Sequence, residues 1–266
     1  MERTLWKHIR SVKNQSPLIH NITNYVVMNN TANALLAVGA SPVMAHAKAE
    51  IKDMIGIASA VVINIGTLDE YWSEAMLMAA ETAHWLNKPW VLDPVGAGAT
   101  PYRNEILKKL LQYRPTVIRG NASEILALSG SQSSTTKGVD STDSSNDAIQ
   151  AARELVEQYC SVVCVSGETD VILDNKKRTV SIKSGHPLMT KVTGLGCSAS
   201  ALIAAFVAIV EDKTEATTAA MALLGIAGEL SERQSSGPGS LQMNILDKLY
   251  NIEETEFDEH LKVSME

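Results

Sequence analysis

Residues 189–205, MTKVTGLGCSASALIAA, join a glycine-broken turn, a thiol and an apolar helical run. Gly194-Leu195-Gly196 feeds straight into the helical pattern, and Cys197 falls in its first turn. N–H groups at a helix start have no intrahelical partner, and the helix dipole adds positive potential there. Glycine lets such a backbone come close to a ligand. The combination predicts an anion cradle with a thiol at its lip, a pattern suited to phosphoryl transfer onto a small molecule. The plainer alternative is a helix start that simply needs glycine. On the chemical reading, the amides of Gly194, Leu195, Gly196 and Cys197 neutralise the transferring group, each donor being worth about 3 kcal/mol of barrier. The helix end should favour the Cys197 thiolate, which then accepts the proton of a substrate hydroxyl.

Other reactive side chains recur at one kind of place, directly after a strand-like run. His20-Asn21, Met44-Ala45-His46, Gly66-Thr67, Asp93 to Gly98, Gly120 to Glu124 and Gly167-Glu168 all do so. In open α/β sheets ligands bind at the carboxyl ends of strands, so these segments are expected to ring one site. Arg119 ends an otherwise apolar run and needs a partner if buried. That partner is either a structural acid or a phosphate, for which a forked guanidinium is well matched. Asn121 and Glu124 have the spacing of a capping box. Met44 has the composition of core filler, and Ser166-Gly167 that of a turn. His20, His46 and His186 are read as turn or surface residues.

The elements that position these groups alternate. Strands are expected at 17–21, 42–45, 60–65, 89–93, 116–119, 162–166, 171–174 and 179–184. Helices are expected at 27–38, 50–59, 70–87, 104–112, 122–128, 147–159, 198–210 and 214–232. Such alternation predicts an α/β fold, a mainly parallel central sheet with helices on both faces. The segment Val171–Ser184 reads instead as a small antiparallel hairpin around Asp174-Asn175-Lys176. The polar stretch Ser129–Asp147 reads as a surface loop, with a flap over a ligand as the alternative. Asp143 to Asp147 at its end would supply helix caps. The acidic stretch Glu253–Glu266 is expected to be peripheral.

Composition narrows the function. The 266 residues, 45% hydrophobic, suit a globular chain, read here as one domain over 1–266. A net charge of -7, two Phe, and the lack of a basic block argue against nucleic-acid binding. Three cysteines make no disulfide framework, and Cys160 and Cys164 read as buried apolar thiols rather than metal ligands. The apolar run Ala199–Val210 is too short to span a bilayer, and the amphipathic N-terminal segment lacks a signal-peptide core. The expected location is the cytoplasm.

Several segments together are similar to one family. Gly194–Cys197 resembles the anion hole of ribokinase-like kinases, with cysteine where most members carry an acid. That change resembles the hydroxyethylthiazole kinases. His20–Asn24, Gly39–Met44, Asn64–Leu68, Asp93–Gly98, Gly120–Ile125, Lys137–Ser141 and Val192–Gly194 resemble the same family in order, over nearly the full chain. The resemblance implies a ribokinase-like fold and ATP-dependent phosphorylation of the hydroxyethyl group of 4-methyl-5-(2-hydroxyethyl)thiazole, in thiamine salvage. It further implies Cys197 as catalytic base, Met44 and Gly194 at the thiazole, Arg119 and Ser166 at ATP, and Mg²⁺ held near Asp93 and Glu124. Magnesium prefers oxygen ligands and keeps several waters, so two carboxylates suffice. A homotrimer with sites between subunits is implied as well. The rival readings are a ribokinase-like kinase for a sugar or a hydroxymethylpyrimidine, a hydrate dehydratase on the same fold, and a non-catalytic nucleotide sensor.

Overall fold

The computed structural model describes residues 2–130 and 141–266. The apolar runs become strands of one sheet: β1 (Leu18–Ile22), β2 (Ser41–Val43), β3 (Ala60–Asn64), β4 (Trp90–Asp93), β5 (Val117–Asn121), β6 (Val162–Ser166), β7 (Asp170–Leu173), β8 (Thr179–Ile182) and β9 (Val263–Met265). Their spatial order is β2-β1-β3-β4-β5-β6-β7-β8-β9. The strands from β2 to β6 in that order are parallel, and those from β6 to β9 are antiparallel.

Parallel neighbours need crossovers, and helices supply them. The helices are α1 (Glu2–Gln15), α2 (Met28–Ala37), α3 (Ile51–Ile57), α4 (Glu70–Trp85), α5 (Pro101–Leu111), α6 (Ala122–Ser129), α7 (Ser141–Tyr159), α8 (Leu195–Ile209), α9 (Lys213–Glu232), α10 (Pro238–Asn251) and α11 (Glu254–His260), of which α2 to α7 make the crossovers. Alternate strand residues divide between two cores, because successive side chains point to opposite faces of a sheet. Val62, Val91 and Val117 join α1, α2, α8, α9 and α10 on one face. Val61, Ile63, Leu92 and Ile118 join α3, α4, α5 and α7 on the other.

Two features of this arrangement build a site. From β1 the chain steps outward to β2, then returns to place β3 on the far side of β1. Such a reversal leaves a crevice above the carboxyl ends of β1 and β3. Helix α8 is apolar all round and buried from Ser198 to Val207, as a central helix must be. It packs across β1, β3 and β4, which fixes where its first turn points.

The expected sheet and hairpin are present, with several corrections. The amphipathic N-terminal segment is helix α1, and α10 also forms where no helix was expected. The last segment is not peripheral: Phe257 of α11 is fully buried, its ring 5.7 Å from that of Trp6, and β9 pairs with β8. Backbone from Ser141 is already helical, so Asp143 to Asp147 lie within α7 instead of capping it. Ser129 and Gly130 close α6; residues 131–140 of the polar loop, with its flap alternative and residues 137–140 of the Lys137–Ser141 segment, fall outside the described residues. Cys164 is buried as expected, but Cys160 is exposed.

Candidate active site

The α8 start has the form its sequence dictates. Gly194 is the N-cap, at φ +83°, a left-handed conformation that favours glycine. A side chain there would also meet Val27 Cγ1 at 2.5 Å. The amide of Ser198 donates to Gly194 O at 2.8 Å, so the N–H groups of Leu195, Gly196 and Cys197 all precede the first bond of the helix. Gly194, Leu195 and Gly196 line a cavity of about 970 Å³ with Arg119, Ser166 and Lys183. That volume suits a nucleotide-sized ligand.

Arg119 projects from β5 across the bare face of Gly196, where a Cβ would lie 2.6 Å from its Nη1. Its Nη2 donates to Ser166 Oγ at 2.7 Å, and its buried Nε makes no hydrogen bond. It is thus aimed along the helix start and only partly committed. Asp170, on β7 beside the same cavity, accepts from Gly167 N at 3.0 Å. Burial pushes its carboxyl up to about 6, against the pull of Gly167 and of the Arg119 charge.

Cys197 sits at the end of a hydrogen-bonded chain that crosses the switch crevice. Asn24 Nδ2 donates to Cys197 Sγ at 3.5 Å and to Asn64 Oδ1 at 2.9 Å. Asn64 Nδ2 donates to Asp93 Oδ2 at 2.6 Å. The expectation of a thiolate favoured by the helix end is overturned. Burial pushes the Cys197 thiol up to about 11, and the Asp93 charge adds to this against the donors of Asn64 and Asn24. Desolvation outweighs the two amide donors and the Arg119 charge, so the thiol is neutral near pH 7.

Asp93 ends β4 and is fully buried. Burial pushes its carboxyl up to about 6, Arg119 opposing and Glu124 adding to the rise. Oδ1 makes no hydrogen bond; the nearby Ser200 hydroxyl points to Gly196 O at 3.4 Å. Glu124 forms the expected capping box with Asn121, its Oε2 accepting from Asn121 N at 2.9 Å. Its Oε1 accepts from Gly96 N at 3.1 Å, so it also pins the Asp93–Gly98 turn. Among the described residues no cluster of three or more metal-ligating side chains gathers. An orphaned buried carboxylate oxygen beside a second carboxylate nonetheless fits Mg²⁺, which takes few protein ligands and keeps water.

Met44 follows β2, half-buried, and does not line the cavity. It stands at the β2 edge of the crevice, next to His46, whose ring lies 4.9 Å from that of Trp72. His20 is not the turn or surface residue expected: it lies within β1, fully buried, bonds Ala45 O at 2.7 Å and has its pKa lowered by burial. Asn24, Asn64 and Arg103 went unassigned in the sequence. Arg103, on α5, donates to Val95 O at 3.0 Å and Gly66 O at 2.8 Å and bonds Ile65 O. It thereby clamps the turns that follow β3 and β4. The first two asparagines lie in segments that carry the family resemblance; nothing in the sequence around Arg103 marks it.

A parallel sheet covered on both faces, an antiparallel extension, and a helix start aimed at the switch crevice define the ribokinase-like class of fold. Pyridoxal kinase from Staphylococcus aureus, solved with AMP-PCP and pyridoxal, shares it at a TM-score of 0.67 and 16% identity, over 94% of this chain and 97% of that one. A hydroxyethylthiazole kinase from Pyrococcus horikoshii OT3 superposes at a TM-score of 0.91, with 42% identity over 99% of each chain. Hydroxyethylthiazole kinase from Syntrophus aciditrophicus is 53% identical over 97% of this chain and 96% of its own. That from Leptothrix cholodnii is 52% identical over 98% and 95%. The profile of the hydroxyethylthiazole kinase family matches residues 9–255. The chain belongs to that family.

Proposed function

We propose that this protein transfers the terminal phosphate of ATP to the hydroxyethyl group of 4-methyl-5-(2-hydroxyethyl)thiazole, as one domain over residues 1–266 working in the cytoplasm. The observation that carries the reading is the start of α8: Gly194, Leu195, Gly196 and Arg119 line the cavity, while Cys197 of the same turn does not line it and faces Asn24 on the crevice side. ATP lies in the cavity, its phosphates held by Arg119 and the amides of residues 194–197, with Ser166 holding Arg119 in place. The acceptor lies over β1 and β3 toward Met44, against Gly194. Asp93 and Glu124 would hold Mg²⁺, which would neutralise phosphate charge. Catalysis of this type is mostly positioning and charge stabilisation.

The hydroxyl oxygen forms its bond to the terminal phosphorus as the bond to the leaving ADP oxygen breaks. Its proton passes to Cys197 Sγ. A thiol raised to about 11 is rarely ionised near neutrality, but its ionised fraction is a correspondingly stronger base. The working form is a homotrimer with sites between subunits. In support, Tyr25 and Val26, directly after Asn24, are 57% and 63% exposed, an apolar lip for a neighbouring chain to cover.

The test is incubation of the protein with ATP, Mg²⁺ and the thiazole alcohol, following ADP and the phosphorylated alcohol. Equal amounts of both are expected. No turnover with this acceptor, but turnover with a hydroxymethylpyrimidine or a sugar, moves the assignment to another ribokinase-like kinase. Nucleotide binding without turnover on any acceptor makes the protein a sensor.

A further inference from the structure

We propose that Asn24 and Asn64 are positioning residues of the phosphoryl transfer: a two-amide bridge that holds the Cys197 sulfur as a hydrogen-bond acceptor, in fixed register with the Asp93 carboxylate. The inference rests on the role given above to Cys197 and extends it to the two asparagines that hold the sulfur from the crevice side.

The polarity of the bridge is set by backbone. Gly66 N donates to Asn64 Oδ1 at 3.0 Å, and Val26 N donates to Asn24 Oδ1 at 3.1 Å. Flipping either amide would set N–H against N–H, so each oxygen is committed and each NH₂ must face the other way. For Asn64 that direction is Asp93; for Asn24 it is Asn64 and Cys197. The sulfur therefore receives a donor from Asn24, and the thiol proton is left to point elsewhere. A sulfur held this way is already oriented as an acceptor when it ionises, and the same N–H then stabilises its charge.

The bridge has little freedom. Asn24 is 4% exposed and Asn64 1%. Gly66 packs so tightly on Asn24 that a Cβ there would lie 2.8 Å from Asn24 Cβ. The Arg103 bonds to the carbonyls of Gly66 and Val95 hold the two turns that flank Asn64 and Asp93. Because Asn24 follows β1 and Asn64 ends β3, the bridge spans the crevice at the topological switch. The charged groups facing Cys197 are Asp93 and Arg119, and Asp93 faces Glu124 as well; neither asparagine carries charge, so the bridge acts by direction.

A double-mutant cycle separates positioning from general support of the fold. Asn24→Ser keeps a short oxygen near Val26 N–H but loses the donor to sulfur. It should lower kcat about tenfold, the worth of one well-placed hydrogen bond, with the KM for ATP within about twofold. In a Cys197→Ala background the same change should move kcat by less than about twofold. An equal loss in both backgrounds overturns the bridge and leaves the Cys197 role standing. If Cys197→Ala itself keeps full turnover, the base role fails, and the bridge is judged by alkylation. In a Cys160→Ser background, iodoacetamide should react with Cys197 several-fold more slowly once Asn24→Ser removes the donor. An unchanged rate overturns the bridge. Should Asn24→Ser not fold, the uncharged Asn24→Ala, which also removes the donor to sulfur, takes its place in both measurements, with the same outcomes.

Discussion

Two clusters of acids around an arginine stand at opposite ends of the antiparallel strands, and they differ in what they leave undone. At the β7–β8 turn, Arg178 donates to Asp212 at 2.8 and 2.9 Å and to Asp174 at 2.6 Å. Asp174 also accepts from Thr214 Oγ1 at 2.8 Å, and Asp212 caps α9 through Thr214 N at 3.0 Å. Burial works against both charges, yet the bonds from Thr214 and Arg178 outweigh it and hold both carboxyls below their ordinary value. At the α8 start the residue types are the same and the outcome is reversed. Arg119 bonds Ser166 rather than either acid, and both Asp93 and Asp170 are pushed up to about 6 by burial. A cluster that completes its own bonds ties a hairpin to a helix. One that stays incomplete inside the protein has its missing partners in what binds there.

Removing a member of the incomplete cluster should change rate or binding and spare the fold; the completed cluster should do the opposite. The largest effect is expected at Cys197. Cys197→Ala should lower kcat by about 10²–10⁴ at unchanged ATP affinity, measured by steady-state ADP release. Cys197→Asp should keep substantial activity, and should lose the rise of kcat with pH that a thiol at about 11 imposes. Equal turnover in Cys197→Ala would break the comparison at its centre.

Next comes Arg119→Ala, which should raise the KM for ATP roughly 10–100-fold, the loss of charge-assisted bonds to phosphate. An unchanged KM would return Arg119 to a structural role.

A smaller effect, with opposite signs at the two clusters, is expected in stability against pH without divalent cation. Asp93 goes from an ordinary 3.8 to about 6 on folding, so the folded state binds more protons in that window and stability falls as pH rises through it. Asp93→Asn removes the penalty and should stabilise by about 3 kcal/mol at pH 7.5 but not at pH 4. Asp174 is lowered on folding; its contribution is present above its ordinary value and is lost as pH falls. Asp174→Asn should therefore destabilise at pH 7.5, with the loss shrinking on acidification. Denaturant melts at both pH values read the two slopes, and slopes of the same sign would erase the distinction. The smallest change is Ser166→Thr, which keeps the hydroxyl that Arg119 bonds and should leave kcat/KM within about twofold.

The parts of this site that obey local rules were legible in the sequence. The glycine turn, the thiol in the first turn of α8, and the Asn121–Glu124 box each follow from neighbours a few residues apart. The placing of reactive groups after strands followed from the alternation of elements. The Asn24–Asn64–Asp93 chain was not legible, because 40 and 29 residues separate its members and only the β1-β3-β4 pairing brings them together. The neutral state of Cys197 was missed for a related reason: a helix end is a local signal, whereas desolvation depends on everything packed above it. The tail misled by its acidity, since Phe257 and Val263 are too few to outweigh it in composition yet suffice to dock α11 and β9.

Both borders of the sheet are three-residue strands, β2 with Pro42 in its middle and β9 with Lys262 and Glu266 on either side. A bare strand edge is a template for another chain, and shortness, proline and charge are what blunt it. β9 thus shields the longer, more apolar β8 from edge-to-edge aggregation. Losing those few residues would leave β8 as the bare border, open to pairing with another chain.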